Sequence, residues 1–207
     1  MGNPRPKAKQ MRRFGEVLVS RPKYQRILEK RPYPPGAHGK EKSYRRGRQS
    51  DYALQLEEKQ KLAFIYNIRE RQMLRYYLKA SQMPGVTGSN LLVLLESRLD
   101  NLCYKLGFGT TIWHARQLVN HGHILVDGRK LDIASYSVVP GQTITLRERM
   151  RQNPDIEVSL DARGPLPDFL KYDEASFTGR LDRLPQPEEI QVPVNEQLVV
   201  EFYSRKT

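Results

Sequence analysis

The chain has 207 residues, 38% of them hydrophobic, which is enough to build the cores of one or two modest domains. Its formal net charge of +12 favours a polyanionic partner, and nucleic acid is the commonest one. No apolar run approaches the ~20 residues that span a bilayer, and no secretory signal pattern is present, so the sequence predicts a cytoplasmic protein with no membrane partner.

The excess positive charge lies in residues 1–50. This segment contains 15 lysines and arginines against three acidic residues, which is 15 minus 3 or the whole +12, whereas the other 157 residues contain 20 basic and 20 acidic ones. Tyr24, Tyr33 and Tyr44 interleave with these cations, and a tyrosine ring can stack on an unpaired base while arginines bridge phosphates. We therefore expect a basic arm that binds single strands and loops of RNA, with a solvated tail kept for solubility as the alternative.

This arm is expected to be extended. Its stretch "RPYPPGAHG" at 31–39 is rich in proline and glycine, which predicts turns and extended backbone rather than helix. The arm also lacks an evident apolar core, so deletion of residues 1–45 is expected to leave the rest of the chain folded.

Dense helical periodicity follows from residue 51. One helix is expected over 51–68, with Ser50 or Asp51 as its cap, and a second over 69–82, before "MPGVTG" at 83–88 interrupts the pattern. In the first helix the expected inner side has Leu54, Leu62 and Ile65, opposite Glu57, Glu58 and Lys61. In the second helix the apolar positions are Met73, Tyr77 and Leu78.

The strongest helical pattern covers residues 87–108. Ser89 is the expected cap and Gly107 occupies the position of a left-handed stop, so the sequence predicts one continuous helix here. A leucine stripe close to the 3.6-residue period runs along it and comprises Leu91, Leu92, Leu95, Leu99, Leu102 and Leu106.

A compact helix-and-strand unit is expected next. Residues 110–122 form a helix capped by Thr110 or Thr111 and ended by Gly122, with an inner face of Ile112, Ala115, Leu118 and Val119. Residues 123–133 predict a hairpin, because Asp127-Gly128 is a favoured two-residue turn. A strand with Ile144 and Leu146 on one face follows the turn at Pro140-Gly141.

The remaining segments are expected to be two strands and a final helix. "DIEVSLD" at 155–161 and "ASFTGRLDRLP" at 175–185 have strand character, and the loop 162–170 separates them. The tail 192–207 predicts a helix with Asn195 as its cap, although its valine and tyrosine content leaves a strand open as the alternative.

No pattern indicates catalysis or a metal site. The carboxylate pairs Glu57-Glu58 and Glu188-Glu189 have no evident partner, and the chain has neither a phosphate-cradling glycine-rich loop nor a nucleophile elbow. A single cysteine, Cys103, excludes a disulfide and a cysteine-cluster zinc site, and it is expected to be a buried, inert thiol. The histidines lack the companions that zinc requires. We expect no cofactor and no metal.

The sequence His121-Gly122-His123, where a helix gives way to a strand, favours a different role. Histidine near a helix C-terminus is favoured as a cation or donor, and Gly122 supplies a left-handed residue. Capping is the purely structural alternative. Donors at the start, along one side and at the end of this short helix suit a grip on backbone phosphates, and they comprise Thr110, Thr111, His114, Arg116, Gln117, His121 and His123. Trp113 fits equally a stacking platform and a partly buried anchor.

Five stretches carry a family resemblance. They are, in chain order, "RPYPPGAHG", "SDYALQLEEKQKL", "GVTGSNLLVLLESRLDNLCYKLGF", "ARQLVNHGHILVDGRKLDIASY" and "PVNEQLVVEFYSR". They closely resemble the signature stretches of the bacterial-type small-subunit ribosomal protein family conventionally numbered four, from about Arg31 to Arg205. The unit from about Arg98 to Leu146 resembles the RNA-binding module named after that family, which recurs in tyrosyl-tRNA synthetases and pseudouridine synthases.

The resemblance implies an α+β fold: a helical domain with an inserted RNA-binding module of two helices plus antiparallel strands, and a basic extended N-terminal arm. The implied domains are 1–50 for the arm, 51–95 completed by 190–207 for the helical domain, and 96–189 for the module with further strands. The C-terminal segment would then return to the first helices.

The implied function is that of a structural constituent of the small ribosomal subunit, not of an enzyme. Such proteins bind the 5′ domain of small-subunit ribosomal RNA at a multi-helix junction early in subunit assembly, help form the messenger entry channel and influence decoding accuracy. The implied partners are this ribosomal RNA, neighbouring small-subunit proteins and messenger RNA, on a cytoplasmic ribosome or, as an open alternative, a plastid one. The expected RNA-binding residues are Arg12, Arg13, Arg31, Tyr33, His38, Arg45, Arg46, Arg48, Lys59, Arg98, Thr110, Thr111, His114, Arg116, Gln117, His121, His123 and Lys130.

Two features depart from the family pattern. Many members have a zinc-binding cysteine cluster in the arm, but this arm has no cysteine, so we expect RNA itself to order it. Relatives often have a basic pair after the cap of the second module helix, where this chain has Ile112-Trp113. The alternatives are an RNA-modifying enzyme, which would need a separate catalytic domain that the length does not provide, and a free regulator of a messenger.

Overall fold

The computed structural model describes residues 7–19, 21–44 and 50–205. The chain forms two compact units, residues 1–65 with 193–207 and residues 66–192. The fold is mixed helix and sheet, which confirms the predicted α+β class. Within the described ranges no helix combines the length and apolar character needed to cross a membrane.

The first unit consists of helices in its described part. They are α1 (Lys7–Phe14), α2 (Pro22–Lys30), α3 (Gly39–Tyr44), α4 (Asp51–Ile65) and α11 (Glu196–Ser204). The first fifty residues are thus more helical than the sequence predicts, whereas the proline-rich stretch 31–38 contains no helix, as expected. Pro22 occupies the first turn of α2, where its fixed backbone angle favours a helix start rather than opposing it.

Helix α1 packs on α4 through both apolar and charged contacts. Met11 is fully buried, the Phe14 and Phe64 rings lie 6.3 Å apart, and Lys61 Nζ lies 2.6 Å from a Glu16 carboxylate oxygen. These contacts belong to the core of the unit. The expectation that the rest of the chain stays folded without residues 1–45 rests on the absence of apolar core residues from the arm, and that premise is wrong. The arm does contain apolar core residues.

The buried side of helix α4 agrees only in part with the prediction, since Leu62 is fully buried as expected. Its start is as expected, since the Ser50 hydroxyl oxygen accepts from Ala53 N at 3.3 Å. However, Leu54 is 39% exposed and Lys61 only 6% exposed, so their predicted sides are wrong. The ion pair with Glu16 compensates the buried Lys61 charge, a tertiary contact that periodicity cannot predict. On the next helix, α5 (Glu70–Ser81), Leu78 is likewise exposed, although Met73 and Tyr77 are buried as predicted.

Helix α11 lies against α4 and closes the unit. Asn195 caps it by accepting from the backbone N–H groups of Gln197 and Leu198, so the helix prediction is confirmed and the strand alternative is wrong. The Asn195 backbone N–H donates to Glu58 at 2.7 Å, and the Gln55 side-chain amide donates to Glu201 at 2.8 Å. These bonds join two helices that lie far apart in the sequence.

The second unit begins with α5 (Glu70–Ser81), α6 (Thr87–Glu96), α7 (Leu99–Lys105) and α8 (Ile112–Asn120). The single helix predicted over 87–108 is therefore two helices. Arg98 adopts an extended conformation between them and forms a bridge with Ser137, which breaks the helix. Val86, not Ser89, precedes the first turn. All six leucines of the predicted stripe are buried, and Gly107 ends α7 with a positive φ of 84° as predicted.

A five-stranded antiparallel sheet packs on these helices in the order β2-β1-β3-β5-β4. Its strands are β1 (Ile124–Val126), β2 (Arg129–Lys130), β3 (Thr143–Leu146), β4 (Leu170–Asp173) and β5 (Thr178–Leu181). The predicted hairpin is confirmed, because Asp127 and Gly128 both have the positive φ values of its favoured turn. Ile124, Val126, Ile144 and Leu146 join the leucines of α7 in one core.

The segment between β3 and β5 was predicted less well. The expected strand at 155–161 is instead helix α10 (Pro154–Asp161), after the one-turn α9 (Glu148–Arg151). The Asn153 side chain caps α10 by accepting from Asp155 N at 2.9 Å, and Pro154 takes the first turn. Strand β4 begins at the end of the predicted loop 162–170, and a 3-10 turn (Pro187–Glu189) precedes the tail.

Cys103 lies in the core of the second unit, as predicted. Burial, and then the nearby Asp100, raise the pKa of its thiol well above the ordinary value. The thiol therefore stays protonated and unreactive at neutral pH.

Candidate nucleic-acid interface

Helix α8 is held so that its polar side faces outward. The Thr111 hydroxyl oxygen accepts from His114 N at 3.3 Å and caps the helix, as predicted. The four predicted inner residues are all buried, and Ala115, Leu118 and Val119 join the core that α7 and the sheet form. In contrast, Gln117 is exposed and His114 half-buried. Side chains that bind backbone phosphate need this arrangement, in which a packed apolar face fixes the helix and a polar face remains accessible.

The turn His121-Gly122-His123 joins α8 to strand β1 and explains why two histidines flank a glycine. Gly122 has a positive φ of 70°, and any side chain there would overlap the Lys130 side chain of strand β2. Glycine suits this position because it adopts the left-handed turn without strain, whereas movement of the flexible Lys130 side chain could relieve the overlap alone. The two imidazole rings on either side lie 6.0 Å apart. The result is a turn crossed by a lysine and flanked by two imidazoles.

Cations surround this turn, and we call His121, His123, Lys130, Arg147 and Arg149 the basic end of α8. The Arg147 guanidinium donates to the Gly122 carbonyl oxygen at 3.3 Å, which draws the residue after β3 towards the turn. Burial lowers the pKa of His123, and the positive charges of the other four residues lower it further. A site with several cations around one imidazole attracts an anion.

Arg98 and Arg116, two of the predicted RNA-binding residues, point inward. Arg98 is fully buried, and its Nε and Nη2 donate to the two Asp100 carboxylate oxygens at 3.0 and 2.7 Å. Arg116 Nη2 lies 2.8 Å from the same carboxylate. Its Nη1 also donates to the backbone carbonyl of Asn67. Asp100 thus holds two guanidiniums and links α7 to α8, a role that the sequence analysis missed.

Arg12 holds the proline-rich stretch of the arm in place. Its Nε donates to the carbonyl oxygens of Arg31 and Tyr33 at 3.2 and 3.1 Å, and its Nη2 donates to that of Pro34 at 3.3 Å. The guanidinium also lies 4.9 Å from the centre of the Tyr33 ring, while Lys40 Nζ lies 5.5 Å from it. Cations of the arm itself therefore contact the Tyr33 ring, which was predicted to stack on a base.

The other predicted residues differ in accessibility. Lys59 is 7% exposed, with its ammonium 4.8 Å from the centre of the Phe202 ring, so it contacts the core of its own unit. Arg13 and Arg31 are exposed, as is His38, which lies 3.2 Å from Glu41. Arg45, Arg46 and Arg48 lie outside the described residues. The accessible predicted residues therefore form two groups, one on the arm and one around α8.

In the described ranges no three histidine, cysteine, aspartate or glutamate side chains are grouped so that they could hold a metal ion. Arginine donors and backbone carbonyls, rather than metal ligands, organise the turn at 31–34. Contacts within the chain thus hold this turn, and the expectation that RNA orders the arm stays a prediction.

Comparison with known proteins covers most of the sequence. Residues 3–96 match the family described as the N-terminal domain of ribosomal protein S4/S9, and residues 97–144 match the S4 domain. The chain is 50% identical over 178 residues to small ribosomal subunit protein uS4 of Geobacillus stearothermophilus, which covers 86% of this chain and 88% of that protein. It is 48% identical over 204 residues to uS4 of Roseiflexus sp. (strain RS-1), which covers 97% of each.

Proposed function

Because the chain belongs to the small ribosomal subunit protein uS4 family, whose members are structural proteins and not enzymes, we propose that it binds small-subunit ribosomal RNA as a constituent of the small subunit. The proposal includes the setting that its resemblance implies, a cytoplasmic ribosome with other small-subunit proteins as neighbours, and a plastid ribosome as the open alternative. Within that setting the chain binds the multi-helix junction of the 5′ domain early in assembly. It also lines the messenger entry channel and influences decoding accuracy.

The observation that carries the proposal is the basic end of α8. Five cationic or protonatable side chains lie around one glycine turn, and the charges of four of them lower the pKa of the fifth, His123. Phosphate oxygens are the groups that such a surface attracts, and phosphate contacts fix the position of a protein on folded RNA. The outer side of α8 extends the surface through Thr110, His114 and Gln117, whereas Thr111 is 6% exposed and acts by capping the helix.

The arm supplies the second part of the proposed interface. Its contacts are Arg13, Arg31 and His38 among the described residues, together with Arg45, Arg46 and Arg48. Arg12, Tyr33, Lys59, Arg98 and Arg116 act in this proposal mainly by holding other residues in place, because their charged groups or rings contact the protein itself.

The functional division of the chain follows the sequence pattern. We take 1–50 as the arm, 51–95 with 190–207 as the helical domain and 96–189 as the RNA-binding module. The compact units divide the chain at a different place, after Ile65, because contact density does not report which segment binds RNA.

Replacement of two cations at the basic end of α8 tests the proposal. The double variant Lys130→Gln/Arg149→Gln is expected to bind a small-subunit ribosomal RNA fragment more weakly, and the slope of log affinity against log salt should fall by about 2, one for each lost phosphate contact. The matched control is Lys171→Gln/Arg180→Gln, which removes two exposed cations from the other edge of the sheet. Equal slopes for the two double variants would contradict an interface at α8.

A further inference from the structure

The arm contains a small pocket that the interface around α8 does not include. It has a volume of about 110 Å³ and lies between the end of α1 and the end of α2. The described residues that line it are Arg12, Gly15, Leu28, Arg31 and Pro32. Two arginines and two apolar side chains thus line one cavity, and no acidic side chain is among those five.

The pocket is formed before any ligand enters, because hydrogen bonds hold its walls. Three backbone carbonyls of the stretch 31–34 fix the Arg12 guanidinium. Gly15 closes α1 with a positive φ of 74° and donates from its N–H to the Met11 carbonyl at 2.8 Å. The Arg31 N–H closes α2 by donating to the Ile27 and Leu28 carbonyls at 3.0 and 3.2 Å. A ligand would therefore lose little affinity to ordering of the protein.

The size and the lining narrow the chemistry of the ligand. Pockets for cofactors and drug-sized molecules have volumes of about 300–1,000 Å³, so this one admits a single ring system or a single anionic group. A phosphate alone would not account for Leu28 and Pro32, because apolar walls add nothing to its binding energy. An apolar ring alone would not account for the two arginines. A flat ring with a negative charge attached to it matches both walls.

We propose that this pocket receives one unstacked base of the bound RNA, with the adjoining phosphate on Arg31. The inference rests on the proposed RNA-binding function and deepens it. The base packs between Leu28 and Pro32 beside Arg12, whose guanidinium stays bonded to the backbone carbonyls of residues 31–34. The exposed Arg31 then neutralises the phosphate that follows the base out of the pocket.

Two variants of the full chain separate the base from the phosphate. Leu28→Trp fills the pocket without changing the charge, so it is expected to weaken binding of the ribosomal RNA fragment about tenfold while leaving the salt slope unchanged. Arg31→Gln is expected to weaken binding and to lower the salt slope by about 1. The matched controls are Gln25→Trp and Arg26→Gln, exposed positions of α2 outside the pocket lining, and each should weaken binding less than its partner variant does.

A fluorescence measurement keeps the test independent of how well Leu28→Trp folds. The RNA fragment carries 2-aminopurine at one unpaired position at a time, and one position is expected to change its fluorescence on binding to the wild-type chain. That change should be smaller with Leu28→Phe, a more conservative filling variant. If no unpaired position responds to the wild type, the base does not enter a protein pocket and the inference is overturned.

The outcomes distinguish this inference from the proposed function. If the wild-type chain binds no ribosomal RNA, the proposed function fails. If the wild-type chain binds, and Leu28→Trp and Leu28→Phe both bind as tightly as the wild type, the proposed function stands and the pocket is not a binding site. Loss of affinity in Arg31→Gln alone would mean that only a phosphate is bound there, which also overturns the base pocket.

Discussion

Asp100 decides the direction in which two arginines point. Its carboxylate is fully buried, binds Arg98 through two hydrogen bonds and lies 2.8 Å from Arg116 Nη2. The Arg98 Nη1 donates to the Tyr76 hydroxyl at 2.8 Å, so the cluster also reaches α5. A buried charge of this kind is tolerated because its partners are charged and hydrogen-bonded. The two arginines, which the sequence analysis predicts to contact RNA, therefore hold helices together.

Asp100→Asn is expected to lower the free energy of unfolding by about 3–5 kcal/mol, because it leaves the fully buried Arg98 guanidinium and the partly buried Arg116 guanidinium without their counter-ion. Urea denaturation measures the change. Asp132→Asn is the control, since Asp132 is exposed, and it should change the stability by about 0.5 kcal/mol or less. Equal stabilities of the two variants would mean that the cluster around Asp100 contributes nothing to folding.

His123 is expected to make RNA affinity depend on pH. Burial lowers its pKa below the ordinary 6.5, and so do His121, Arg147, Arg149 and Lys130. A bound phosphate neutralises these charges and favours the imidazolium, so binding takes up a proton. A group that gains protons on binding strengthens the complex as the pH falls, and affinity should therefore rise from about pH 8 to about pH 6. Titration of RNA binding at constant ionic strength tests this, and His123→Asn should reduce the dependence. An unchanged profile in that variant would remove His123 from the interface.

At the scale of elements, helix α1 is part of the structure of its unit and not merely a charged extension. Met11 is buried inside the unit, and the Phe14 ring lies beside the Phe64 ring. Glu16, just after the end of the helix, pairs with Lys61 of α4. The amphipathic pattern of a helix of eight residues is short, and lysines and arginines dominate its composition. The one buried methionine is therefore easily overlooked in the sequence, although it anchors the helix.

Met11→Ala is expected to destabilise the first unit by about 2–5 kcal/mol, the usual cost of truncating a fully buried methionine. Hydrogen exchange of α4 and α11 amides reports on that unit directly, and their protection should fall. Val17→Ala is the control, because Val17 is 42% exposed and its truncation should have little effect. Undiminished protection in Met11→Ala would restore the view of the arm as an appendage, and deletion of residues 1–45 would then leave the body folded after all.

For the whole molecule, charge is unevenly distributed along the chain. The first fifty residues account for the net +12, whereas the remainder is balanced and gathers its cations locally, as at the basic end of α8. In the described part of the arm, helices and the hydrogen bonds of Arg12 hold the backbone, so its cations start from defined positions. In the proposed function, RNA is bound both by this arm and by the basic end of α8.

If the two surfaces together neutralise about 6–10 phosphates, the affinity of the wild-type chain for ribosomal RNA should fall by about three to five powers of ten between 50 and 200 mM salt. Counter-ion release from the RNA is the cause. Binding isotherms over this salt range measure the slope. A nearly flat response would exclude phosphate binding as the source of affinity and would contradict the proposed function.

Local patterns in the sequence were enough to predict several features of the fold. These are the Thr111 and Asn195 caps, the left-handed glycines 107 and 122, the Asp127-Gly128 turn and the buried leucine stripe. Each follows from a backbone preference or a periodicity that a few neighbouring residues express. The family resemblance likewise came from contiguous motifs.

Other features depend on contacts between residues that are distant in the sequence, and these features are visible only in the folded structure. The break at Arg98 requires Asp100, Tyr76 and Ser137, and the burial of Lys61 requires Glu16. The same holds for Arg12, whose acceptors lie about twenty residues away, and for the pocket that it lines. A charged side chain has the same sequence signature whether it faces solvent or a buried partner. A charged side chain points inward only where pairing with a partner offsets the free-energy cost of its desolvation. That partner reaches its position only in the folded chain.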